Sequence, residues 1–232
     1  MRYWTWAEIK TKIEQECDLE DEDFVRESEL LSYANEAIDE AEAEIHGLYE
    51  DYFLKPVDIP VTVGDELISI TDNIPDIYAD KIRRIIFTLT GSTTTYPVTR
   101  LKDWHKFEQK AVFDTQSTTD LYQYFPINST PGNPQIMLVP KMRESGTLKV
   151  WYLRNANRLT VSTDICDIPE FVNFVMAFMK VKVYQKEGHP GLDEATAKLE
   201  QQRQQMTSSL QARIPDADNG LEMDMSYYED MS

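Results

Sequence analysis

The residues able to do chemistry are few, and one group alone has a suggestive spacing. Asp18, Glu20 and Glu22 alternate, and Glu29 stands eleven residues past Asp18, an arrangement that echoes a calcium loop between two helices. Asp23, however, occupies the place where such a loop needs glycine, and Arg26 the place of a ligand or bridging water. The stretch is therefore read as a solvated acidic turn whose charge favours the start of the next helix. His46, His105 and His189 lack any His-x-x-x-His or His-Glu-x-x-His spacing, so they are assigned surface or structural roles rather than metal ligation. Cys17 and Cys166 are far apart, each without a neighbouring cysteine or ligand-spaced histidine, which argues against a disulfide framework or a zinc site. There is no Gly-x-Ser-x-Gly elbow and no glycine-rich phosphate loop, so neither a nucleophile elbow nor a phosphate cradle has its backbone requirement. Paired carboxylates carry no diagnostic weight in a chain with 41 Asp and Glu. No catalytic, metal-binding or cofactor-binding residue is assigned, and the chain is read as non-enzymatic.

A chain of 232 residues with 41% hydrophobic and 11% aromatic content suffices for a substantial core. No apolar run approaches the roughly 20 residues of a membrane helix, and the N-terminal residues lack a signal-peptide apolar stretch, which gives the expectation of a soluble protein made in cytoplasm with no membrane partner. The formal net charge is -18. Such a surplus repels phosphate backbones, because tight nucleic-acid binding needs clustered Lys and Arg to displace counterions. A conventional DNA-binding module is disfavoured, whereas a channel through which duplex slides gains from walls that do not grip it.

Helical spacing of Trp6, Ile9 and Ile13 predicts a short helix from Tyr3 to about Glu16. A long amphipathic helix follows, with Leu30, Ala34, Ala37, Ile38, Ala41, Ile45, Leu48 and Tyr52 on one face and a crowd of carboxylates mostly off it. Those carboxylates have no Lys or Arg between Arg26 and Lys55, so they must meet water or a basic partner. Beyond Pro56 short β-branched and aromatic stretches predict antiparallel strands at Ile59 to Val63, Leu67 to Ile70, Lys81 to Thr90, Tyr122 to Ile127, Gln135 to Val139 and Thr147 to Leu153. The imperfect alternation after Lys81 signals either a bulge or a strand buried on both faces. Leu101 to Gln109 reads as a helical turn, and the last two strands as a hairpin. Helix returns after Ile168-Pro169 with an apolar stripe covering most of its circumference, breaks at Gly188-His189-Pro190-Gly191, and resumes over Leu192 to Arg213. The expected fold is α+β: a helical bundle, made of a long N-terminal helix and a C-terminal helical hairpin, with an inserted antiparallel β unit and a flexible C-terminal tail. Its expected divisions are 1–56, 57–164, 165–213 and 214–232.

Four stretches in this order carry a resemblance: Glu29-Leu30-Leu31-Ser32-Tyr33-Ala34-Asn35-Glu36-Ala37; Asp80-Lys81-Ile82-Arg83-Arg84-Ile85; Pro134-Gln135-Ile136-Met137-Leu138-Val139-Pro140; and Leu148-Lys149-Val150-Trp151-Tyr152 followed by Arg158-Leu159-Thr160. Over roughly residues 20 to 210 the chain resembles the bacteriophage head-to-tail adaptors, the neck proteins that include the tail tubular proteins of short-tailed phages. Arg26 stands where similar proteins often place Ser or Thr to cap the long helix, which leaves Ser28 as the cap or a different helix start. The resemblance implies a virion protein forming a homo-oligomeric ring, usually a dodecamer, attached to the portal and offering its other face to a downstream tail or nozzle protein. Double-stranded DNA passes through without sequence-specific binding. It also implies that the C-terminal arm reaches the portal, a role that Met223, Met225, Tyr227, Tyr228 and Met231 suit as adaptable contacts.

Basic residues recur through the strand-rich part, Arg83 and Arg84 among them, with Arg154 and Arg158 at its end. They are either ordinary surface charge or one side of a head-to-tail interface with the acidic part of a neighbouring copy. Phe171 and Phe178, on the apolar C-terminal helix, join them as candidate subunit contacts. Two other readings remain in view: a different neck or tail-completion ring that binds the adaptor, and an acidic host-interaction module mimicking DNA.

Overall fold

A computed structural model describes residues 2–19, 24–101, 122–130 and 133–213. The chain divides into two compact units, Phe53–Asn155 and the remainder, Met1–Tyr52 with Ala156–Ser232.

The second of these is helical. Helix α1, Trp6–Glu16, opens on a capping box in which the Thr5 hydroxyl accepts the Glu8 N–H at 3.3 Å and the Glu8 carboxylate accepts the Thr5 N–H at 2.9 Å. Its buried face is Trp6, Ile9 and Ile13. Helix α2, Glu27–Leu48, buries Leu30, Ala34, Ala37, Ile38, Ala41 and Ile45. Ser28 lies inside α2 and Arg26 holds the cap position. An arginine side chain has no acceptor, so half of a box remains: the Glu29 carboxylate takes the Arg26 N–H at 2.9 Å. Near the other end of the chain, helices α4, Val172–Glu187, and α5, Leu192–Gln211, are joined through Gly188, whose φ of 65° closes α4 in the left-handed conformation. Nine of the residues in α4 are buried, and α1, α2 and α5 of the same unit supply the cover that so apolar a helix needs.

The other unit is a sheet. Its strands are β1 Leu54–Val61, β2 Leu67–Ser69, β3 Ile77–Leu89, β4 Thr95–Arg100, β5 Gln123–Thr130, β6 Asn133–Val139 and β7 Gly146–Arg154, with the four-residue helix α3, Ile70–Asn73, between β2 and β3. They form one seven-stranded sheet in the order β1-β7-β3-β4-β5-β6-β2. One face carries the core, including Ile85, Phe87, Leu148, Val150 and Tyr152.

This corrects the expected fold. The molecule is α+β with five α-helices among the described residues and a mixed, curled, half-barrel sheet, rather than a helical bundle carrying a small antiparallel insert. β4 and β5 run parallel, with Thr99 opposite Gln123 and Arg100 opposite Tyr124; the long connection from 101 to 122 makes this direction accessible, where a tight turn would not. The expected hairpin of the last two strands is absent, since β6 pairs with β5 and β2 while β7 pairs with β1 and β3. Alternating hydrophobicity specifies which face a strand buries and leaves its neighbours open. β4 escaped the sequence reading because a single residue of it, Val98, is buried. Residues 156–164, grouped by sequence with the strands, belong to the helical unit. The helical turn expected at Leu101 to Gln109 lies, but for Leu101, outside the described residues.

Candidate interaction surface

Two stretches that carry the resemblance clasp each other across the helical unit. The Asn35 amide donates to the Leu159 carbonyl at 2.9 Å and accepts the Leu159 N–H at 2.8 Å, so one side chain replaces a strand partner for that residue. One turn further along α2, Arg158 pairs with Asp39 at 2.7 Å, and Glu42 accepts the Ala156 N–H at 2.8 Å. On the adjoining face Lys182 meets Glu36 at 2.9 Å, Lys186 meets Glu29 at 2.7 Å, and Arg203 bonds Glu40. The hydrogen bond from Lys186, followed by that from the Arg26 backbone, holds the Glu29 carboxyl below the usual range. The carboxylate face of α2 thus finds basic partners within its own unit, from the 156–158 segment, α4 and α5.

Arg83 and Arg84 owe their common exposure to a bulge. In a regular strand consecutive residues face opposite sides. The β3–β7 register slips between Ile82, opposite Tyr152, and Arg84, opposite Trp151, which makes Arg83 the extra residue and leaves both arginines exposed. A second slip upstream, between Ile77 and Ile82, contains Ala79 and Asp80 at positive φ. The face opposite the core carries Arg84 on β3, Lys149 and half-buried Trp151 on β7, and Asp58 on β1, with Lys149 3.8 Å from Asp58. The positive character is local, since residues 53–155 hold 12 Lys and Arg against 11 Asp and Glu, while the rest of the chain holds 11 against 30.

The other candidates do not join this face. Arg154 lies over the Phe53 ring at 5.2 Å and donates to the Asn155 carbonyl at 2.9 Å; Arg158 belongs to the helical unit, bound to Asp39. Phe171 and Phe178 are 7% and 9% exposed, packed against Tyr52 and Phe174 at ring separations of 6.1 and 6.3 Å. Met223, Met225, Tyr227, Tyr228 and Met231 lie outside the described residues, as do Glu20, Glu22 and His105. Among the described residues no group of three or more His, Cys, Asp or Glu could hold a metal ion, and no helix is long and apolar enough to cross a membrane.

Sequence reasoning missed a groove of about 690 Å³ in the helical unit, lined in part by Tyr3, Tyr52, Asp164, Ile165 and Glu170. Glu170 accepts the Tyr52 hydroxyl at 3.1 Å and bonds Arg213. Burial, then the negative charge of Glu170, pushes the Tyr52 phenol well above its ordinary range, so it remains a neutral donor. Asp164 accepts the N–H groups of Thr160 and Val161 at 2.7 and 2.9 Å, a turn for which Thr160 and Asp164 four residues apart were the available signal. Tyr3 and Ile165, which line the groove, are exposed apolar side chains. No protein-family model and no curated protein sequence matches the chain.

Proposed function

We propose that the protein is a structural component of the phage particle, a head-to-tail adaptor whose copies form a ring between portal and tail and let DNA pass without acting on it. The observation that carries the reading is where the resembling stretches meet. The Asn35 stretch and the Arg158-Leu159 stretch are joined by paired hydrogen bonds and an ion pair. The Arg83-Arg84 stretch lies beside the Leu148–Tyr152 stretch as neighbouring strands. What the resemblance rests on is the framework of each unit, which suits a protein whose task is shape and contact.

Ring closure would be heterologous, a patch on one copy meeting a different patch on the next. The exposed Arg83-Arg84 pair is the positive candidate. Its negative counterpart would come from carboxylates other than those of α2 already held by Lys182, Lys186, Arg203 and Arg158. The same internal pairing weighs against an α2 that mimics DNA, since its charges are not displayed as a free row. Localising the labelled protein in micrographs of particle necks tests the proposal: density is expected as a ring on the tail axis beneath the portal. A single copy per particle, or none, overturns it, and pull-down with purified portal separates the adaptor from a downstream ring.

A further inference from the structure

Helices α1, α4 and α5 enclose a second groove, of about 230 Å³, whose rim carries Lys12, Lys180 and Lys198 and whose floor includes Met176, Ala177 and Ala195. The floor residues are 5 to 6% exposed. The charge here runs against that of the unit. Four other cations of the unit are matched at short range: Lys10 to Glu27 at 2.9 Å, Lys182 to Glu36 at 2.9 Å, Lys186 to Glu29 at 2.7 Å, and Arg158 to Asp39 at 2.7 Å. Lys12 and Lys180, by contrast, share the single carboxylate of Glu16 at 4.0 and 3.9 Å. Lys198 is exposed and has no ion-pair partner among the described residues. Three lysines around one carboxylate form an under-compensated positive site on a unit with 30 acids to 11 bases.

The chain contains its complement. Residues 214–232 hold six carboxylates and no Lys or Arg, interleaved with Leu221, Met223, Met225 and Tyr227. The segment begins just past Arg213, at the C-terminal end of α5. Lys198 lies fifteen residues back, about 22 Å along the helix. Nineteen residues extend to about 60 Å, enough to turn and run back along α5 to the groove.

We infer that the groove between α1, α4 and α5 is the seat of the chain's own C-terminal segment, its carboxylates on Lys12, Lys180 and Lys198 and its apolar side chains on the Met176, Ala177 and Ala195 floor. The inference is independent of ring formation. A segment seated there is withheld from other partners, and a more basic surface competes for it.

Zero-length carbodiimide cross-linking of the full chain, in an equal mixture of ordinary and isotope-labelled protein, tests this. Links are expected within single molecules, between Lys12, Lys180 or Lys198 and carboxylates of residues 216–230. Their yield should fall roughly threefold between about 50 mM and about 500 mM salt, as screening shortens the reach of these charges. Lys198→Glu, at an exposed position that leaves the helix packing intact, should reduce the links formed at the two remaining lysines. Links that join labelled to unlabelled molecules assign the groove to a neighbour's segment and overturn the inference. Links from the segment to lysines elsewhere, or no links at all, overturn it equally.

Discussion

Asn35 satisfies both backbone groups of Leu159 from a half-buried position, 124 residues away in the chain. Truncation leaves a donor and an acceptor short of partners, and each such group costs about 1–3 kcal/mol when water cannot replace it. Asn35→Ala is therefore expected to lose on the order of 2 kcal/mol, read as a lower denaturant midpoint at unchanged slope. Asp76 makes a comparable clasp in the sheet unit. Burial alone would raise its pKa, but bonds from Lys55 at 2.8 Å and the Tyr152 hydroxyl at 2.7 Å outweigh it and hold the carboxyl below its ordinary value. A carboxyl with a lower pKa folded than unfolded stabilises above its unfolded value of about 4, and that stabilisation is lost as pH falls through the folded value. The stability gap between wild type and Asp76→Asn should thus stay level from neutral pH to about pH 5 and close below about pH 4 in urea titrations; a gap indifferent to pH would refute the assignment. Cys17 and Cys166 are buried free thiols whose pKa burial pushes up to about 11. Both are expected to resist a charged disulfide reagent at neutral pH in the folded protein and to react once it is unfolded.

At the scale of elements, the tightest constraint is where β7 begins. A Cβ on Gly146 would lie 2.3 Å from the Thr88 carbonyl oxygen and 2.4 Å from the Phe87 ring, and Gly146 stands opposite both Leu89 and Val61. Backbone on one side and a buried ring on the other leave little room to yield. Gly146→Ala should cost roughly 1–3 kcal/mol by thermal or denaturant unfolding, while Ser145→Ala, one residue away and exposed, should stay within about 0.5 kcal/mol. At the sheet edge, β1 is paired on one side only. Pro56 and Pro60 share one parity along it, and residues of that parity send their N–H direction away from β7, where proline has none to offer. Half of the outward donors along this edge are missing, which blunts it against strand addition.

For the whole molecule, charge separates along the chain rather than spreading evenly: the sheet unit is close to balanced and the surplus carboxylates belong to the helical unit and the C-terminal segment. If copies close a ring through Arg83 and Arg84, reversing both to Glu should shift sedimentation from ring to monomer at low and moderate salt, with the circular dichroism of the subunit unchanged. Assembly unaffected by the reversal would remove these residues from the interface. The sequence by itself determined α1, α2, α4 and α5, since a 3.6-residue apolar repeat and its terminators are written within each segment: Trp6, Ile9 and Ile13 in one, the Leu30 to Ile45 face in another, Gly188 at the break. It also marked the irregularity after Lys81 and the positions of six strands. Only the tertiary structure decided that β4 and β5 run parallel, that β7 lies between β1 and β3, and that Lys182, Lys186 and Arg203 neutralise α2. A period of two tells which side of a strand is buried but is indifferent to its neighbour, and an ion pair between helices exists only once packing has brought distant residues together.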